Sequence, residues 1–151
     1  MTVKAASHDV LAAMADDIRQ LTQPIHTAIR GRIVTHPPLL DQLRAAAVPG
    51  NTIRGQERRP VPASKPPLRL EAVETLQRIY LEISQIRIHL NMPAPPPGVD
   101  PQKAILRAFV GEAPNLAPSI AEQWLAVAVA GWWRDAAVGS GWAPQDLLKL
   151  R

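Results

Sequence analysis

Residues Asn51 to Arg69 carry the chemistry that stands out along this chain. They hold five cations, Arg54, Arg58, Arg59, Lys65 and Arg69, against a single anion, Glu57. That local surplus of four equals the formal net charge of the whole 151-residue chain, +4. The same stretch contains Pro60, Pro62, Pro66 and Pro67. It is therefore expected to be an extended, solvated arm rather than part of a core. Lysine and arginine on an extended backbone can neutralise phosphates and release counterions without reading bases. Five such contacts would give a salt slope of about −4 to −5 on duplex DNA. The arm has no interleaved aromatic residues, so stacking on single-stranded bases is not expected. The other reading is a solvated linker whose arginines meet acidic groups on a neighbouring subunit.

Residue types that could support catalysis are scattered. His8, His26, His36 and His89 include no pair four residues apart, the spacing of a helical zinc site. His89 lies near an expected helix end, where a cation is favoured. Asp16 and Asp17 are adjacent and point about 100° apart on a helix, so they do not converge on one ion. Gly139-Ser140-Gly141 lacks the strand and outer glycine spacing of a nucleophile elbow, and is expected to stop a helix. No Gly-Lys-Ser/Thr follows Gly50 or Gly55, so there is no phosphate-cradling loop. The chain has no cysteine, which excludes disulfides and thiolate chemistry and fits a reducing compartment. The expectation is a protein with no catalytic residues, no cofactor and no metal.

Four tryptophans form the other feature. Trp124 and Trp132 share one helical face, whereas Trp133 points about 100° away. Either Trp142 folds back over Trp133 to complete a core, or Trp133 or Trp142 anchors a protein partner, a role in which tryptophan is enriched.

The elements that must position these residues are read from apolar spacing. Hydrophobic residues make up 46% of the chain, but with one Phe and one Tyr the core must be mainly aliphatic. Sixteen prolines, about twice the usual ~5% share, separate apolar segments and point to helices on stiff linkers. Val10, Leu11, Met14, Ile18 and Leu21 mark a helix from after Ser7 to about Gln23, ended by Pro24. Ile25 to Thr35 either continues a helix or forms an extended piece. Pro37-Pro38 opens a second helix with Leu39, Leu40 and Leu43 on its buried face, stopped by Pro49-Gly50. A third runs from about Leu68 to Leu90, with a near-heptad seam of Val73, Leu76, Ile79, Tyr80, Ile83, Ile86 and Leu90. After a proline-rich linker, Asp100-Pro101 starts a fourth, which Gly111 can close. A fifth spans about Pro118 to Val138. No strand shows convincing alternation.

The expectation is therefore all-α: a small bundle of about five helices with proline-rich linkers and an extended basic arm. It divides into an N-terminal helical pair (1–48), the arm (49–67) and a helical core with a tryptophan-rich last helix (68–151), together about one domain's worth of chain. The N-terminal residues lack the apolar core of a signal peptide, and no apolar run reaches the ~18 residues needed to span a bilayer. A soluble protein with no membrane contact is expected.

Leu39-Leu40-Asp41-Gln42-Leu43, Pro67-Leu68-Arg69-Leu70-Glu71-Ala72 and Trp132-Trp133-Arg134-Asp135-Ala136-Ala137 with Gly141-Trp142 resemble segments of small helical proteins of unknown function encoded by actinobacteriophages. In that family the tryptophan–glycine stretch precedes a paired-cysteine segment of zinc-ribbon type. With no cysteine here, the resemblance transfers no zinc site to any residue. It implies a phage origin, set in a virion or the bacterial host cytoplasm, and assigns no activity. Two functions follow as expectations. One is a non-catalytic virion component or assembly factor near the head–tail region, in contact with other phage proteins or copies of itself. The other is a nucleic-acid-binding regulator that uses the arm as an electrostatic clamp.

Overall fold

The computed structural model describes residues 6–47 and 65–141, with the side chains of the third helix described from residue 70 onward. Helix α1 (His8–Thr22) begins after Ser7 and leaves helical geometry at Gln23, the residue before Pro24. Two strands follow, β1 (Ile25–Ile29) and β2 (Arg32–His36), paired antiparallel. Helix α2 (Leu39–Ala47) comes next, then the long α3 (Lys65–His89) and α4 (Pro101–Glu112). A 3₁₀ turn (Ala113–Asn115) leads into α5 (Pro118–Ile120), a π turn (Ala121–Leu125) and α6 (Ala126–Gly139).

The fold is thus mostly helical, but it is not all-α. The two strands correct the sequence expectation. Arg30 and Gly31 both take positive φ, 50° and 78°, between the paired residues Ile29 and Arg32. That is the geometry of a two-residue type I′ hairpin, whose backbone twist matches that of the flanking strands. Asparagine or aspartate before glycine normally announces this turn, and here arginine occupies the position.

Three boundaries also differ. The third helix begins at Lys65, ahead of Leu68, because Pro66 and Pro67 fall in a first turn that needs no N–H. Lys65 and Arg69 therefore lie on α3 rather than in an extended arm. Gly111 does not close α4, which continues to Glu112. The last helix contains a π turn, whose extra residue shifts the helical phase by about 100°. Trp132 is consequently buried, whereas Trp124 sits at the surface, edge-on to His89 with ring centroids 4.8 Å apart.

Helix α2 lies at the centre, packed on α1, α3 and α6. Its Leu39, Leu40 and Leu43 are fully buried with Leu21, Ile83, Leu106, Phe109, Leu125, Val129 and Trp132. Gly139 allows α6 to approach this centre closely, since a Cβ there would sit 2.7 Å from Leu43 Cδ1. Helices α3 and α6 run antiparallel, because contacts step up one and down the other. Arg78 bonds Asp135 at 2.8 Å, Glu82 accepts from Trp132 Nε1 at 2.8 Å, and His89 meets Trp124.

One polar cluster joins α2, α3 and α4. Arg44 on α2 donates to Tyr80 on α3 and forks onto both carboxylate oxygens of Asp100, the N-cap of α4. Asp100 also accepts from the backbone N–H groups of Gln102 (3.1 Å) and Lys103 (3.2 Å). Asp41 accepts from Arg44 at 3.2 Å and from Lys103 Nζ at 2.9 Å. Burial raises the Asp100 pKa, but the hydrogen bonds and charges of Arg44 and Lys103 outweigh it, so its net shift is downward. Bonding to Asp100 holds Arg44 above its ordinary value despite burial, and burial pushes the Tyr80 phenol up.

A depressed carboxyl pKa stabilises the fold fully above the unfolded value, about 3.9, and loses that contribution as pH falls through the folded value. Asp100→Asn keeps a capping side chain but loses the charge. We expect it to lower stability by about 1–2 kcal/mol at pH 7. In urea unfolding across pH, its deficit against the native chain should shrink once pH falls below about 4.

Candidate functional site

The residues that the sequence singled out divide between described and undescribed parts of the chain. Arg54, Arg58, Arg59 and Trp142 lie outside the described residues, and only the backbone of Lys65 and Arg69 is described. Trp133 is 7% exposed, and its Nε1 donates to Gln20 Oε1 of α1 at 2.7 Å. It is a core residue that locks α6 to α1, so it does not present its ring to a partner as an exposed anchor would. Within the described residues, no group of three or more His, Asp or Glu side chains is arranged to hold a metal.

The hairpin was not among the sequence candidates, and it is where exposed chemistry collects. It leaves α1 through Pro24 and enters α2 through Pro37-Pro38, so both of its ends are conformationally restricted. Register pairs Ile25 with His36, Thr27 with Val34 and Ile29 with Arg32 on one face. Ile25 and Thr27 are buried and bind that face to the body. His26 with Thr35, and Ala28 with Ile33, occupy the other face. Cross-strand side-chain bonds brace the ribbon, His26 Nδ1 with Thr35 Oγ1 at 3.0 Å and Thr27 Oγ1 with His36 Nε2 at 3.1 Å.

Beyond that base the ribbon is open. Ile33 is 77% exposed and Ile29 52%, while Arg30 and Arg32 flank the tip. No carboxylate occurs between Asp17 and Asp41. Asp17 is buried, and Asp41 is engaged by Arg44 and Lys103. Among the described residues, neither Arg30 nor Arg32 has an ion-pair partner. At the root lies an open cleft of about 390 Å³ lined by Arg19, Gln20, Gln23, Pro24, Ile25 and His26. Arg19 there is paired with Asp16.

A family model described as a domain of unknown function, DUF7341, matches residues 6–138. The chain belongs to this family. The matched span runs from just before α1 nearly to the end of α6, so the hairpin is part of the family's domain. No curated protein and no solved structure matches the chain.

The signal that could have revealed the hairpin is a pair of β-branched runs, Ile25-His26-Thr27-Ala28-Ile29 and Arg32-Ile33-Val34-Thr35, around a dipeptide ending in glycine. Arginine in the left-handed region costs about 1 kcal/mol relative to glycine. That local cost places a cation at the point farthest from the buried base. Arg30→Gly should therefore raise hairpin stability by about 0.5–1 kcal/mol while removing a tip charge. Amide hydrogen exchange in β1 and β2 checks this, with slower exchange expected in the variant.

Proposed function

We propose that the protein is a non-catalytic binding module that acts through contacts with a protein partner, as a virion component or assembly factor near the head–tail region of a phage. The single observation that carries the binding reading is the hairpin, an exposed apolar and basic ribbon on a well-packed helical body. Apolar side chains exposed next to cations that have no ion-pair partner among the described residues suit a partner that offers both apolar and acidic groups. Leu81 and Ile88 on α3, with Val127 on α6, add further exposed apolar surface on the body. The phage setting rests on the resemblance of residues 39–43, 67–72, 132–137 and 141–142 to actinobacteriophage proteins.

The second reading is a nucleic-acid clamp built on Arg54, Arg58, Arg59, Lys65 and Arg69. The basic hairpin favours it to the extent that Arg30 and Arg32 carry the same sign of charge. Replacing Arg54, Arg58, Arg59 and Lys65 with serine separates the two readings. Loss of DNA retention in that variant with assembly intact supports the clamp, and a native chain that retains no DNA contradicts it.

Neither strand is long, and no helix among the described residues is long and apolar enough to cross a membrane. We expect quantitative mass spectrometry of purified phage particles to find this chain at a fixed copy number per particle. Particles without it contradict the virion role.

A further inference from the structure

We propose that the outer edge of β2 is a docking strand that pairs with an extended, acidic and β-branched segment of a partner protein. This inference rests on the protein-contact reading above and names the site and the chemistry of the partner.

The backbone sets the site. In a two-residue hairpin the residues flanking the turn exchange backbone hydrogen bonds, here Ile29 and Arg32. Antiparallel alternation then makes Thr27–Val34 and Ile25–His36 the other hydrogen-bonded pairs. The N–H and C=O groups of Ile33 and Thr35 therefore point away from β1. Arg32, Ile33, Val34 and Thr35 are all exposed, and no described residue outside the hairpin bonds the Ile33 or Thr35 backbone, so among the described residues this edge is uncovered. An uncovered edge is a template for another strand, and proteins usually blunt or cover it. Strand addition takes affinity from main-chain bonds and specificity from alternate side chains.

Charge selects the occupant. Every charged side chain from Ile25 to His36 is basic, and nothing described in the chain neutralises Arg30 or Arg32. A second copy of the hairpin would bring the same two arginines and no carboxylate, so self-pairing places like charges together. A nucleic acid would match the charge but would leave Ile33 and Ile29 against a polar backbone. Two phosphate contacts would also give a salt slope of only about −1.8, a weak anchor at physiological salt. An acidic strand with alternate β-branched residues satisfies all three demands: the open backbone groups, the apolar faces and the cations.

The test is a random ten-residue peptide library selected against the full chain, with duplex and single-stranded DNA as parallel probes. We expect enriched peptides to alternate Val, Ile or Thr with Asp or Glu. Ile33→Pro and Thr35→Pro each remove an outward N–H, which an edge strand tolerates. Both should weaken the selected peptides by about tenfold or more, with thermal unfolding of the protein unchanged. The double variant Arg30→Glu, Arg32→Glu leaves the edge intact and should weaken them by about as much. No enrichment, enriched peptides without carboxylates, or binding to the proline variants as tight as to the native chain overturns the proposal. DNA binding that depends on Arg30 and Arg32 without peptide enrichment overturns it in favour of nucleic acid. Proline variants that still enter particles remove the edge and leave the protein-contact reading standing. Native protein that never enters particles removes the virion role and leaves the peptide result to be judged alone.

Discussion

A single guanidinium holds the helical body in register. Arg44 lies on the central helix α2 and reaches Tyr80 on α3 and Asp100 at the start of α4. Asp100 serves twice, as counter-ion to Arg44 and as the cap of the first N–H groups of α4. In a part-buried cluster of this kind every charge has a partner, and removing one is expected to cost about 1–2 kcal/mol. Its geometry therefore fixes where α2 sits, and α2 fixes the apolar centre formed by Leu39, Leu40 and Leu43. Because the hairpin runs directly into α2 through Pro37-Pro38, its base inherits that placement.

Much of the body was legible from residue spacing, for physical reasons. The apolar face of α1, the capping of α4 by Asp100, the stop at Pro24 and the start at Pro101 are local signals that tertiary structure had no reason to override. Legibility failed where a local rule was broken. Arg30 in a left-handed turn concealed the hairpin, and the π turn at Ala121–Leu125 changed which tryptophans share a face. The environment of Trp133 could not be read from its own helix, because its partner Gln20 is 113 positions away. Of the candidate site, the emphasis on basic character carried over to the hairpin, but the residues did not. Arg30 and Arg32 were missed beside the denser charge of residues 51–69, where Arg54, Arg58 and Arg59 lie outside the described residues.

The resulting picture is a division of labour within one domain of the DUF7341 family. The helices bury an aliphatic core between them and pair several of their charges, as Arg78 does with Asp135 and Glu82. The hairpin exposes Ile29 and Ile33, and among the described residues its arginines have no carboxylate partner. A ribbon of two five-residue strands gains little stability by itself, so its persistence depends on the buried Ile25 and Thr27 and on its proline-bounded ends. That contrast between a well-packed body and an exposed ribbon is the basis for the proposed contact function.

Amide hydrogen exchange on the full chain, free and assembled in particles, tests this most directly. The account predicts rapid exchange at the Ile33 and Thr35 amides in the free protein, marked protection of both on assembly, and little change in the buried turns of α2 and α6. Protection gained only on the helical body, with the Ile33 and Thr35 amides still exchanging freely, would contradict it.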